Sequence, residues 1–263
     1  MGRESRKIDK THKAIMKISI IIATWNAAKT LRRCLDSIVP QLTDETELIL
    51  IDGGSKDETN EIIDSYGSKI AVHVSEPDKG IYDAWNKGVR VAKGDWMMFV
   101  GADDVLLPDA IKNYMHFTEN ISYKDIDFIS CRIKSVKEDR TFLQYTGKKW
   151  NYGKCRINMD VTHVASLTSM NYFNRIGLFD INYKICGDYE LLMRGGKEMR
   201  PLFLDKVIAE MPIGGASFSV KGLKEQLEVK HATGKVPLII CYAIFSVQLL
   251  LFYTYSFRHS FKL

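Results

Sequence analysis

Two adjacent carboxylates, Asp103 and Asp104, close the stretch Trp96–Val105, WMMFVGADDV. An apolar run leading into a glycine and two aspartates reads as a buried strand whose end presents hard oxygen ligands. Such ligands suit Mg²⁺ or Mn²⁺ held together with phosphates, because these ions are bound by one or two carboxylates plus substrate oxygens. Asp52, in ELILIDGGS (Glu47–Ser55), ends a second apolar run and can accept hydrogen bonds from a base or a ribose. Gly53 and Gly54 beyond it let a ligand come close to the backbone. Lys79, in VHVSEPDKG (Val72–Gly80), can balance diphosphate charge. These residue types together fit a nucleoside diphosphate with something attached.

The elements that must position them alternate. KISIIIATWN (Lys17–Asn26) is a continuous β-branched run and predicts a fully buried strand. Leu31, Leu35 and Ile38 share one face of a helix over Lys29–Val39, which Pro40 stops. Glu47–Ser55 is the second strand, and Asp57 caps a helix through Ile62 and Ile63. Val72–Gly80 is a third strand running into a turn. A helix over Ile81–Gly94, closed by Gly94, precedes the fourth strand, and Pro108 begins the next helix. Strand and helix alternating four times predict an α/β fold, a mostly parallel Rossmann-like sheet with helices on both faces. Ligands in such sheets sit at the carboxyl ends of the strands, where the strand order reverses. The unusual polar residues all fall there: Thr24 to Asn26, Asp52 to Ser55, Glu76 to Lys79, and Asp103 with Asp104. Beyond residue 120 the pattern loosens. Strands are expected at Asp127–Val136 and Thr141–Tyr145, helices at Asn171–Ile176 and Asp188–Arg194, and one or two short strands in Arg200–Pro212.

The chain of 263 residues carries a net charge of +5, with 46% hydrophobic and 26% charged residues, a folded rather than a disordered composition. The positive charge is dispersed and shows no arginine-rich stripe with interleaved aromatics, which argues against nucleic acid as a partner. Five cysteines without CxxC spacing argue against a disulfide framework and a zinc site and fit a reducing cytosol. Residues 1–16 read as a basic leader. Val236–Phe257 has no charged residue and is flanked by Lys235 and by Arg258, His259 and Lys262. Its length fits a segment in or on a membrane, with a buried core helix as the competing reading. The expected organisation is a leader over 1–16, an enzymatic domain over 17–220 and a membrane-associating helical segment over 221–263.

ISIIIATWNAAKTLRRCLDSI, LILIDGGSKDET, SEPDKGIYDAWNKGVRVAKGDWMMFVGADD and CGDYELLMR, in that order, resemble the motifs of family 2 glycosyltransferases of the GT-A fold, in the style of bacterial enzymes that build surface polysaccharides. The resemblance covers roughly Lys17 to Phe218. It implies inverting transfer of a sugar from a nucleotide-diphosphate donor to an acceptor hydroxyl. It places Thr24 and Asn26 by the nucleotide and has Asp52 read the base. Asp103 then faces the ribose or the sugar, and Asp104 binds Mg²⁺ or Mn²⁺. Family members often carry an acidic residue where this chain has Gly101. Asp188 matches the catalytic base, preceded by Gly187 where many members are acidic. An in-line displacement needs such a base on the face opposite the leaving diphosphate. Asp188 also suits a helix N-cap. Glu190 is its local rival, about 200° away round the helix.

The resemblance puts His163 near the donor phosphates or the acceptor and Asn86 close to the site. Trp85 reads as core packing rather than a sugar platform. Arg194 either reaches a phosphate or pairs with Glu198. GGASFS (Gly214–Ser219) reads equally as a loop closing over the donor and as a plain turn. A nucleotidyltransferase is disfavoured because TWNAAK, after the first strand, lacks the glycines of a phosphate loop. A binding or scaffold protein that has lost catalysis stays open, on Gly101 and Gly187. The expected setting is the cytoplasmic face of the plasma membrane, and the expected acceptor a growing, lipid-linked glycan.

Overall fold

The computed structural model describes residues 16–260 apart from 120 and 122; the side chains beyond 254 are not described. The expected leader therefore lies outside the described residues except for Met16, which is buried in the core. In chain order the elements are β1 (Ile18–Thr24), α1 (Ala28–Ile38), β2 (Thr46–Asp52), α2 (Thr59–Asp64), β3 (Val72–Ser75), α3 (Ile81–Val91), β4 (Trp96–Gly101), β5 (Val105–Leu106) and α4 (Ala110–Thr118). They continue with β6 (Phe128–Val136), β7 (Phe142–Thr146), α5 (Tyr152–Cys155), β8 (Leu167–Ser169), α6 (Met170–Ile176), α7 (Gly187–Gly195), β9 (Pro201–Pro212), α8 (Val220–Ala232) and α9 (Leu238–Ser260).

The strands form one sheet in the order β3-β2-β1-β4-β8-β6-β9-β5, with β7 paired to β6. The expected parallel sheet is found over β3-β2-β1-β4, joined by the crossover helices. Beyond β4 the sheet is mixed: β8 runs antiparallel to β4 and β6, while β9 runs parallel to β6. Alternate residues of one strand serve opposite faces. Ile18, Ile20 and Ile22 pack with α1, α2 and α4, whereas Ile21 packs with α3, α6 and α7. Burying both faces is why these strands are continuous apolar runs rather than alternating ones.

Several boundaries differ from expectation. The N-cap position of α2 belongs to Glu58, not Asp57; one Asp57 carboxylate oxygen accepts Ala28 N–H at 3.1 Å and the other Thr59 N–H at 3.2 Å, so Asp57 ties the starts of α1 and α2 together. The stretch after His163, which reads in sequence as helix-like, is a short strand, β8, before α6 begins. The stretch Arg200–Pro212 holds one twelve-residue strand, Pro201–Pro212. Helix α8, at the head of the expected membrane segment, packs into the domain through Glu225, Val229 and Lys230.

α9 is not a core helix. Among the described residues no helix is long and apolar enough to cross a membrane. Cys241 is buried, but Ile239 is 80% exposed, and Tyr242, Val247, Leu250, Leu251 and Tyr253 are exposed with it.

Candidate functional site

Register brings the first polar strand ends together, with Thr24 opposite Asp52 and Asp52 opposite Ser75. Asp52 is fully buried and surrounded by donors. Its Oδ1 accepts from Thr24 Oγ1 at 3.0 Å and from the Ser55 hydroxyl. Its Oδ2 accepts from Gly54 N, Ser55 N, Asn60 Nδ2 and Ser75 Oγ. Burial opposes the charge, but bonds from Ser55, Ser75 and Thr24 outweigh it and hold the pKa down at about 2. A carboxylate so committed has no lone pair for a base. Asp52, with Thr24 beneath it, shapes the loop at the end of β2 instead of reading a ligand. Gly53 N–H donates to Thr24 O at 2.8 Å and completes the tie between the two strand ends. Asn26, at a left-handed φ of 48°, takes Lys56 N–H on its side chain and gives its own N–H to Ser55 Oγ.

The two aspartates after β4 part company. Asp103 is exposed and lines a cavity of about 500 Å³ with Thr30, Arg33, Glu138 and the Gly214–Gly215 turn. Asp104 is 2% exposed and turns inward to accept Gly101 N–H at 2.7 Å. Burial, with Asp103 beside it, raises its pKa to about 8. Arg140, at the tip of the β6–β7 hairpin, donates to the Asp103 carbonyl at 2.8 Å and pairs with Glu210. Gly101 lacks a Cβ because both carboxylates crowd the place. An added carbon would meet Asp104 Oδ2 at 2.8 Å and Asp103 Oδ1 at 3.0 Å. Among the described residues no group of three or more His, Cys, Asp or Glu could hold a metal alone. One surface carboxylate with a second beneath it still fits a divalent ion that arrives with phosphate oxygens.

Asp188 stands in the first turn of α7, half-buried, on the wall of a cavity of about 620 Å³ bounded by His163, Thr162, Met211, Gln144 and Asn158. It does not cap the helix: that position belongs to Cys186. The Tyr82 hydroxyl lies 3.0 Å from Asp188 Oδ1 and 2.7 Å from Ile185 O. Gly187 is glycine because the Tyr82 ring fills the space, 2.8 Å from where a Cβ would stand. His163 is buried against Phe99 and Trp85, with ring centroids at 5.1 and 5.3 Å, and neither ring nitrogen has a partner among the described residues. Burial lowers its pKa against the opposing pull of Asp188, so the ring is held neutral.

The model of the family described as Glycosyl transferase family 2 matches residues 19–180. The chain belongs to glycosyl transferase family 2. A curated relative, the PGL/p-HBAD biosynthesis glycosyltransferase of Mycobacterium bovis, is 32% identical over 181 residues, 67% of this chain and 68% of its own. An uncharacterized glycosyltransferase of Rickettsia typhi is 29% identical over 182 residues, 66% of this chain and 57% of its own. Among solved structures, S. aureus TarS 1–349 in complex with UDP superimposes with a TM-score of 0.65 at 20% identity, covering 89% of this chain and 71% of that one. The mannosyltransferase PcManGT from Pyrobaculum calidifontis, in complex with GDP-Man and Mn²⁺, does so with a TM-score of 0.64 at 17% identity, covering 88% and 70%. The fold of the family 2 chain is thus the GT-A fold.

The remaining expected site residues of this glycosyltransferase divide. Lys79 is exposed at the open edge, its N–H bonded to Asp83 and its carbonyl to Lys184 Nζ. Asn86 is buried and clasps the Phe179 backbone with both ends of its amide, so it holds the aromatic cluster rather than a ligand. Arg194 pairs with Glu190 at 2.9 Å and donates to the carbonyls of Ile176 and Leu178. It is committed to the scaffold, not to a phosphate or to Glu198. Glu190 is buried away from the cavity, and burial raises its pKa despite Arg194. Gly214–Ser219 borders both cavities, through Gly214 and Gly215 on one side and Ser217 on the other.

Sequence reasoning passed over Tyr82, Arg140 and Glu225. The Glu225 carboxylate accepts the N–H groups of Lys184, Ile185 and Cys186 at 2.8–3.1 Å and fixes the entry to α7. These residues act across long sequence separations, where no local pattern marks them.

Proposed function

We propose that this chain transfers a sugar from a nucleoside-diphosphate donor to an acceptor hydroxyl with inversion, and that Asp188 is the general base. The observation that carries the reading is the place of Asp188. Of the two carboxylates on the wall of the 620 Å³ cavity, Asp160 is paired with Lys148 at 2.9 Å, whereas Asp188 shares the wall with His163, a buried ring whose nitrogens have no partner among the described residues. A sugar acceptor entering that cavity would offer its hydroxyl proton to Asp188 and meet His163 beside it. The donor would lie across the strand ends and along the 500 Å³ cavity, where Asp103, Arg33 and the glycine turn face it. The solved relatives support such a donor, since TarS is seen with UDP and UDP-GlcNAc and PcManGT with GDP-Man.

Asp103 and Asp104 would hold a divalent ion, and Mn²⁺ in PcManGT supports that choice. When bound, the ion neutralises charge developing on the leaving diphosphate. The chain's own part is to orient the donor, to keep Asp188 on the acceptor side and to receive the acceptor proton on its carboxylate.

The acceptor is proposed to be lipid-linked and the setting the cytoplasmic face of the plasma membrane. The exposed apolar side chains of α9, with Lys235 at its head and Arg258, His259 and Lys262 in the sequence at its other end, suit a helix lying in the headgroup layer of an anionic bilayer. Removing residues 238–263 is expected to abolish cosedimentation with anionic vesicles; equal cosedimentation would refute the lipid reading.

The donor reading is tested by thermal melting with a panel of nucleoside diphosphates, with and without Mn²⁺, for wild type and Asp103→Ala. A ligand that binds only the native state raises the melting temperature. A rise that needs metal and disappears in the variant is expected. If no diphosphate moves the wild type, the chain does not use a nucleotide donor.

A further inference from the structure

Helix α9 has two faces. With 3.6 residues to a turn, Cys241, Gln248 and Phe252 fall on one side, and Ile239, Tyr242, Leu250 and Tyr253 on the other. The first side meets the domain. Cys241 is buried, Gln248 Nε2 donates to Gln226 Oε1 of α8 at 3.4 Å, and the Phe252 ring lies 5.2 Å from the ring of Phe218. The second side is open, and all four of its apolar side chains are exposed. Phe218 belongs to the segment between β9 and α8 that borders both cavities. Gly214 and Gly215 line the cavity of Asp103, and Ser217, next to Phe218, lines the cavity of Asp188. The two ends of this segment are held. Ile213 N–H donates to Val136 O at 2.7 Å, and Ser219 Oγ accepts Gly222 N–H at the start of α8. Between them Gly214 stands at φ 119°, and a Cβ on Gly214 or Gly215 would meet nothing within 4 Å. Two glycines in open space are a hinge. The Phe218–Phe252 contact therefore links a hinged segment at the site to a helix with an open apolar face.

We infer that an anionic bilayer is an effector of this site: by taking the open face of α9 it fixes Phe252, and Phe252 through Phe218 orders Gly214–Ser219 beside the two cavities. The open face is apolar, and Lys235 at its head, with Arg258, His259 and Lys262 in the sequence at its other end, favours acidic headgroups. Away from a bilayer the segment keeps the conformational freedom of its glycines, and a substrate must order it at the moment of binding. A surface that immobilises α9 meets that cost beforehand. The linkage is reciprocal: a substrate that orders the segment tightens α9 on the bilayer by the same factor. The inference rests on the lipid reading of α9 and adds that the bilayer acts on the chemistry as well as on location.

The five native cysteines are buried, so a nitroxide attached to Ser217→Cys reports on the segment. Its spectrum is recorded on the full chain alone, with phosphatidylcholine vesicles and with phosphatidylglycerol vesicles. Phosphatidylglycerol is expected to slow the label and phosphatidylcholine to leave it as it was. Phe252→Ala, on the docked face, should still cosediment with phosphatidylglycerol vesicles but leave the label mobile. Phe218→Ala, which removes the other ring, should do the same. In the unlabelled chain with Mn²⁺, phosphatidylglycerol vesicles should raise diphosphate release from UDP-GlcNAc or GDP-mannose at least about fivefold, and should not do so in Phe252→Ala. A label equally mobile with and without the vesicles, on a chain that cosediments, would overturn the inference and leave the lipid reading intact. So would a rate that the vesicles do not change. Failure of the wild type to cosediment would overturn both readings. Loss of cosedimentation in Phe252→Ala would overturn the division of α9 into a docked and an open face, and the inference with it. Absence of release under every condition would count against the transferase reading, and the label alone then decides.

Discussion

The Tyr82 hydroxyl on α3 lies 3.0 Å from Asp188 Oδ1 on α7, across 106 residues of sequence. The contact joins the nucleotide half of the sheet to the half that carries the proposed base. Its ring packs on Gly187, so ring and hydroxyl together fix where the carboxylate stands. Gly187→Ala would drive a carbon to 2.8 Å from that ring. Overpacking of this kind costs roughly 1–3 kcal/mol. The melting temperature is expected to fall by several degrees and transfer by tenfold or more. Tyr82→Phe, which keeps the ring, should leave the melting temperature nearly unchanged and lower the turnover rate about three- to tenfold.

Asp104 sets a pH dependence of stability. Its folded pKa, raised to about 8, lies above its ordinary value, so the folded state binds the proton that the unfolded chain releases. Its contribution is full below about pH 4, declines as pH rises and is gone above about pH 8. Asp104→Asn keeps an acceptor for Gly101 N–H and has no charge to bury. Melting curves of the two proteins should coincide near pH 4, and the variant should melt several degrees higher at pH 8.5. Its metal-dependent donor binding should fall at the same time, stability gained at the expense of function.

Asp52 works with the opposite sign. Its folded pKa of about 2 is depressed, so it contributes stability above about pH 4 that disappears as pH falls through 2. Asp52→Asn would offer one oxygen to six donors and turn an NH₂ toward them. A loss of roughly 1–3 kcal/mol at pH 7 is expected, shrinking below pH 3, measured by urea unfolding.

Glu225 ties α8 to the start of α7 through three backbone N–H groups. Glu225→Gln removes the charge and half of the acceptors. It should lower the melting temperature and slow transfer, with the donor dissociation constant unchanged. A weakened donor affinity would show that α8 acts on the nucleotide half instead.

The first four strands and their helices were legible because burial on both faces writes itself as continuous β-branched runs, and because β1 to β4 follow one another by short crossovers. The positions of Asp103 and Asp188 at element ends were legible for the same reason. What Asp52 does was not: it is one more acidic residue at a strand end, and only the donors around it and its burial show it turned into the scaffold. Arg194 and Asn86 were misread likewise, since their partners are backbone carbonyls and amides that no sequence pattern names. For α9, an uncharged run gave the helix but not its surroundings, since Cys241 is buried while Ile239 and Leu250 stay exposed.

The most direct measurement is the initial rate of nucleoside diphosphate release from UDP- and GDP-linked sugars with Mn²⁺, for wild type and Asp188→Asn, alongside the donor dissociation constant of each. Loss of a general base costs about 100- to 10,000-fold. A fall of at least 100-fold at unchanged donor affinity is expected, since Asp188 lines the acceptor cavity and not the donor edge. Release by Asp188→Asn within about threefold of wild type would contradict the assignment of Asp188 as the base.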